Sequence, residues 1–305
     1  MNKKVAVFGI PTHVGQAHQG ARWGPAALRK AGLLERLRLT GTPVADYGDI
    51  QLDSYIEAIT ADDGPIHNFQ SVVQVSDLVF TKLSANWVPN DQLLLALGGD
   101  HSISIGTIAA VANRYANLGV IWFDAHPDMN TVETSPSGNA HGMALAANLG
   151  VGHPLLVQVG GFRPKLRPEN VVIIGARSID SSEQRLIHQL GVRCYTMADI
   201  HRDGIEKIIS ESLAYLRSRV DAIHLSFDVD VLDPEIAPGV AIPVAQGMSL
   251  RECTTAFLRL NQSGMIVSLD VVELNPLLDH NSKTAVSTAA LVSLLCTPHE
   301  MLKLA

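Results

Sequence analysis

Short apolar, β-branched runs alternate with longer stretches whose apolar residues recur at helical spacing, and the alternation continues from end to end. That pattern predicts a parallel sheet packed against helices. The strand-like runs fall at residues 4–10, 44–47, 92–97, 119–123, 171–175, 192–195, 222–227 and 265–271. Between the first two, Pro25 opens one helical stretch carrying Leu28, Leu33, Leu34 and Leu37, and Gly41 closes it. Ser249 with Glu252 has the spacing of a capping box ahead of another helix. No internal repeat, low-complexity tract or composition shift interrupts the pattern, so residues 1–305 read as one domain. Three long stretches lack periodicity, 15–24, 129–140 and 233–247, each rich in Gly, Pro, Ser or Asn. At the carboxyl ends of parallel strands, loops of that kind build binding sites.

Composition narrows the functional classes. The 305 residues are 47% apolar and 17% charged, which supports a substantial core and argues against disorder. A net charge of −7 without any dense Lys/Arg run leaves no electrostatic footprint for nucleic acid or an anionic membrane. A small cationic substrate suits the chain better. Cys194, Cys253 and Cys296 are widely spaced and form no C-x-x-C pair, as expected of reduced thiols in a cytoplasmic protein. The apolar run after Lys3 and Lys4 stops at Pro11, too short for a signal peptide, and no run approaches transmembrane length.

Chemistry concentrates where three strand-like runs end. Residues 119–123 lead directly into Asp124, His126 and Asp128, and residues at i, i+2 and i+4 of an extended chain share one face. Residues 222–227 lead into Asp228 and Asp230, again two apart. Residues 92–97 lead through Gly98 and Gly99, which permit a sharp turn, to Asp100 and His101. With Asp100 read as the cap of a helix beginning near Ser102, four carboxylates and two imidazoles remain for one crevice. That set crowds one ion but suits two ions about 3.5 Å apart that share bridging carboxylates. The oxygen-rich mixture favours Mn(II) over zinc, with cobalt and nickel left open by affinity order alone. Asp233, out of phase with Asp228 and Asp230 and followed by Pro234, reads as a turn residue.

These residues resemble the arginase and agmatinase family, the ureohydrolases. The match runs from about Gly9 to Thr288 through GGDHS at 98–102, DAHPD at 124–128, SFDVDVLDP at 226–234 and VVELNP at 271–276. The resemblance implies a three-layer α/β/α fold around an eight-stranded, mostly parallel sheet, commonly assembled as homo-oligomeric trimers or hexamers. It implies two Mn(II) ions, one held by His101, Asp124, Asp128 and Asp228, the other by Asp124, His126, Asp228 and Asp230. Glu273 would grip the guanidinium group, which a carboxylate orients well through two parallel hydrogen bonds. His141 would protonate the leaving amine, a task suited to a side chain whose ordinary pKa is about 6.5, and Asp128 would join Glu273 and His141 as a catalytic residue.

The same resemblance places the amino-acid end of the substrate. Asn130, Ser137 and Asn139 would receive an α-carboxylate, and Asp180 with Glu183 an α-ammonium group. Agmatine has no α-carboxylate, so a guanidino amino acid, L-arginine first, is the implied substrate, cleaved to L-ornithine and urea. Two departures stand out. Pro127 replaces the usual Thr, removing a backbone donor, and Ile242 in GVAIPV replaces a Thr that lines the family's guanidinium pocket. Ile242 keeps hydrolysis of N-hydroxyarginine or another guanidino acid as an alternative, and a regulatory protein that retained the fold without the chemistry is a second.

Overall fold

The computed structural model describes residues 3–52, 64–89, 91–298 and 301. Eight strands form one sheet: β1 (Lys4–Ile10), β2 (Val44–Asp49), β3 (Gln92–Gly98), β4 (Leu118–Phe123), β5 (Val171–Ala176), β6 (Arg193–Thr196), β7 (Ala222–Asp228) and β8 (Ile266–Val272). Every described pairing is parallel, so "mostly parallel" tightens to wholly parallel. The central strands are buried along their whole length, which explains why they read as continuous apolar runs rather than alternating ones.

The strand period of two divides the core between the faces of the sheet. In β1, Ala6, Phe8 and Ile10 pack into one apolar cluster while Val5 and Val7 pack into the other. The first cluster is closed by the helices Phe69–Asn86 and Ser104–Ala112, through Val72, Val79, Ile105 and Ile108. The second is closed by helices including Ile205–Arg217, Leu250–Ser263 and Lys283–Cys296. There Phe257 meets the rings of Phe227 and Phe123 at 4.9 and 6.1 Å between centroids. Truncating such a ring to Ala costs about 3–5 kcal/mol. Two clusters on opposite faces give the three-layer arrangement.

One expected element divides. The stretch opened by Pro25 is two helices, Gly24–Lys30 and Leu33–Leu39, because Gly32 between them has φ 83°. Apolar periodicity carries across such a break, since Leu28, Leu33 and Leu37 all enter one core. The capping box at Ser249 and Glu252 forms as expected.

Strand order positions the site. The sheet runs β2-β1-β3-β8-β7-β4-β5-β6. β3 and β4 follow one another in sequence, yet β8 and β7 lie between them. Four neighbouring carboxyl ends, from distant parts of the chain, therefore open onto one crevice, where ligands bind in open parallel sheets.

Candidate active site

The crevice floor forms directly at these strand ends. Asp124 leaves β4 with one oxygen accepting from Trp122 Nε1 at 2.9 Å and the other from the His126 amide at 2.7 Å. Asp228 accepts from the Asp230 amide at 2.8 Å, which turns the chain into a short 3-10 segment. Asp128 stands at φ 52°, left-handed backbone that a non-glycine residue seldom adopts. Asp100 caps the turn that carries His101 by accepting from the Ser102 amide. Gly99 serves close approach rather than a special dihedral: a Cβ there would lie 1.8 Å from the Thr12 carbonyl oxygen.

The six sequence-predicted ligands converge. His101 Nδ1 lies 3.1 Å from Asp124, 3.0 Å from Asp128 and 3.1 Å from Asp228. His126 Nδ1 lies 3.0 Å from Asp230 and 3.5 Å from Asp124. Two groups, His101/Asp124/Asp228 and Asp124/His126/Asp230, each bring their ligand atoms within 4.8 Å of one another, and Asp124 belongs to both. Burial disfavours charge on these carboxyls, and they repel one another. Asp228 is pushed well above the ordinary carboxylate range, Asp230 is raised, and Asp128 rises to about 6. Burial would lower the imidazoles, yet Asp230 and Asp124 hold His126 at about 12, and surrounding carboxylates hold His101 well above its usual value. So much acid in so little space requires compensating positive charge. A pair of divalent cations on hard oxygen and imidazole donors fits that requirement.

Glu273, just past β8, reaches the same crevice at φ 66°. Its Oε1 accepts from the His101 amide at 2.8 Å and faces His141 Nδ1 at 2.9 Å; its Oε2 accepts from Gln16 Nε2 at 2.8 Å. Burial opposes charge on both partners, but their pairing wins: His141 rises to about 9 while Glu273 is lowered. That pairing favours the protonated form of His141. Gln16 was not among the expected site residues. It lies in the aperiodic 15–24 stretch, where sequence offered a loop and no role.

Above the floor lies a cleft lined by residues from several loops. His126, Asp128, Asp228, Asp230, His141 and Glu273 form its lower walls. Asn130, Ser137, Asp180, Glu183 and Ile242 line it as well. His101 and Asp124 sit beneath, fully buried. Asn139 is buried beside the cleft without lining it; its amide donates to Ser137 Oγ, and its Oδ1 has no hydrogen-bond partner among the described residues. Asn130 Nδ2 donates to Asp180 at 2.8 Å. Glu183 accepts from the Asp180 and Met129 amides and so also builds the start of the helix Ser181–Leu190. Burial raises its carboxyl to about 7. Ser135, Ser178, Val240 and Ala241 join the lining, although no sequence signal separated them from ordinary loop residues.

Beneath His101 lies a polar network that sequence reading missed. His101 Nε2 meets Ser226 Oγ at 2.8 Å, and Ser226 Oγ donates to Asp270 at 2.6 Å. Asp270 also accepts from Thr107 Oγ1 and faces His224 Nε2 at 3.1 Å. Despite full burial, His224 holds the Asp270 carboxyl down to about 2. The signal was available: His224, Ser226 and Asp228 alternate on one face of a buried strand. Asp233 takes the turn role, accepting from the Glu235 and Gly247 amides.

Comparison with known proteins agrees with this geometry. The Arginase family model matches residues 3–297. The arginase of Bacillus subtilis (strain 168) is 48% identical over 295 residues, covering 97% of this chain and 98% of its own. The solved arginase of Bacillus caldovelox superposes with a TM-score of 0.93 at 44% identity, covering 97% and 99%. An Entamoeba histolytica arginase solved in complex with L-ornithine superposes at 0.85 with 31% identity, covering 96% and 98%. A match over nearly the whole chain, together with these relatives, shows that the chain belongs to the arginase family and is an amidinohydrolase.

Proposed function

We propose that this protein hydrolyses L-arginine to L-ornithine and urea with two Mn(II) ions per chain. The supporting observation is the union, in one cleft, of a paired carboxylate and imidazole floor with the Glu273–His141 pair and a rim of Asn130, Ser137 and Asp180. His101, Asp124, Asp128 and Asp228 would hold one ion, and Asp124, His126, Asp228 and Asp230 the other. When bound, the ions supply Lewis acidity and make water a competent nucleophile near neutral pH.

The chain's own residues supply the rest. Glu273 orients the guanidinium group, since its Oε2 has one protein partner and a carboxylate accepts more. As the water oxygen joins the guanidinium carbon, the water gives a proton to Asp128; the bond to the side-chain nitrogen breaks, that nitrogen takes a proton from His141, and the proton on Asp128 returns to His141. Asn130, Ser137 and Asn139 bind the α-carboxylate, with Asp180 and Glu183 at the α-ammonium. The protein acts as one domain in a cytoplasmic homo-oligomer. Among the described residues, no helix is long and apolar enough to cross a membrane.

Ile242 favours a second reading. Its side chain lines the cleft with Val240 and Ala241, making that wall apolar, and N-hydroxyarginine presents a less basic guanidine edge to it. Urea release from L-arginine and agmatine, and substrate loss with N-hydroxyarginine, decide between these readings. Arginine cleaved far faster than agmatine supports the first. Comparable rates for arginine and agmatine overturn the proposed carboxylate contacts.

A further inference from the structure

Arg177 sits immediately after β5 and faces away from the cleft, whereas Ser178 and Asp180 beside it line the wall. Its guanidinium group lies at the mouth of the 233–247 loop. Nη2 donates to the carbonyls of Val244 at 2.7 Å and Asp230 at 2.8 Å, with Leu232 at 3.4 Å. Nε reaches Ala245 at 3.1 Å and Val244 at 3.3 Å; Nη1 reaches Val231 at 3.3 Å and Gly175 at 3.4 Å. Every acceptor is a main-chain carbonyl. Only a guanidinium group offers five N–H donors in one rigid plane, so Lys cannot reproduce the set.

The loop depends on this contact. At its neck, the amides of Gly247 and Asp233 bond to Asp233 Oδ2 and the Met248 carbonyl, each at 3.0 Å. Beyond the neck, among the described residues, the hydrogen bonds tying residues 241–246 to the rest of the chain all come from Arg177. That stretch begins at Ala241 and Ile242, which line the same cleft as Ser178, Asp180 and Glu183. One side chain thus joins the segment that carries the amine-end wall to the loop that carries the apolar wall, and both to the turn holding Asp230.

We propose that Arg177 is a positioning residue that fixes the distance between these two walls and so sets the length of guanidino substrate the cleft accepts. The proposal rests on the guanidino amino acid reading above. Productive geometry tolerates little misplacement, so a loosened wall penalises the substrate of matched length most. A substrate one methylene longer loses less.

The test compares native protein with Arg177→Ala and Arg177→Lys, using L-arginine and L-homoarginine as substrates. Hydrogen exchange across 240–248 and metal content are measured on the same samples. The expected result is faster exchange in the loop, unchanged metal content, and an arginine KM raised at least about tenfold with a smaller change in kcat. The arginine-to-homoarginine ratio of kcat/KM falls at least about tenfold in both variants. Equal losses for both substrates, unchanged loop exchange, or full selectivity in Arg177→Lys would overturn the proposal.

Should Arg177→Ala fail to fold, Arg177→Gln probes the same contact, because its shorter amide cannot span the carbonyls of Asp230, Val231, Val244 and Ala245 together. It is expected to shift the ratio in the same direction; an unchanged ratio counts against the brace. If native protein cleaves neither substrate, the functional reading fails, and loop exchange alone decides whether Arg177 braces the loop.

Discussion

The floor and the rim of the cleft are built by different means. On the floor, Asp124, Asp228 and His101 stand on or just beyond buried strands, each fixed by hydrogen bonds to neighbouring amides, hydroxyls or rings. On the rim, Asn130, Ser137, Asp180 and Ile242 sit on loops outside the sheet, tied by scattered main-chain bonds such as Asn130 N to the Gly142 carbonyl and by side chains such as Arg177, which holds 244–245. The floor is thus set by the sheet, while the rim depends on scattered ties between loops. Substitutions on the floor should abolish chemistry, and substitutions on the rim should change which molecule undergoes it.

The largest effect should follow Asp124→Asn or Asp228→Asn. Either would remove charge from a carboxylate proposed to serve both ion sites, and urea formation should fall by about a thousandfold or more. Metal analysis should show fewer ions per chain. Retention of both ions with near-native turnover would contradict the sharing.

Next comes the layer under the floor. Ser226→Ala leaves all six ligands in place but removes the hydroxyl against His101 Nε2. Loss of such an orienting partner weakens metal affinity by about 10–100-fold. Competitive chelation measures that shift directly, and an unchanged affinity would show that stacking on Trp122, at 4.2 Å between ring centroids, suffices to orient the imidazole.

A rim substitution should be milder and selective. Ser137→Ala should lower the arginine-to-agmatine ratio of kcat/KM by about tenfold while leaving agmatine cleavage close to native, because agmatine lacks the group that Ser137 is proposed to bind. A parallel loss for both substrates would move Ser137 from recognition to loop folding, where its Oγ already accepts from the Asn139 amide.

The smallest effect belongs to Ile242→Thr. A hydroxyl facing the guanidinium group should raise arginine kcat by at most about tenfold, equivalent to about 1.4 kcal/mol. The ratio of arginine to N-hydroxyarginine turnover should rise with it. No change in either would make the apolar wall a neutral packing difference.

Legibility in the sequence followed the same division. Strand positions and floor ligands could be read because buried apolar runs lead straight into Asp124 and Asp228. The chain beyond Phe123 nevertheless leaves extended geometry, with Asp128 at φ 52°, so its ligands converge through a turn rather than through a strand period of two. The rim carried no comparable signal. Ser137 and Asp180 were named through resemblance alone, and Gln16, Ser178 and Arg177 were not named, because contacts between distant loops leave no local pattern. The break at Gly32 was also hidden, because apolar spacing continued through it.

Titration of Mn(II) into chelator-stripped protein, followed by urea release from L-arginine, tests the central claim most directly. The account predicts no urea without metal and activity that saturates at two ions per chain. Full activity at one ion, or no urea at any stoichiometry, would contradict it.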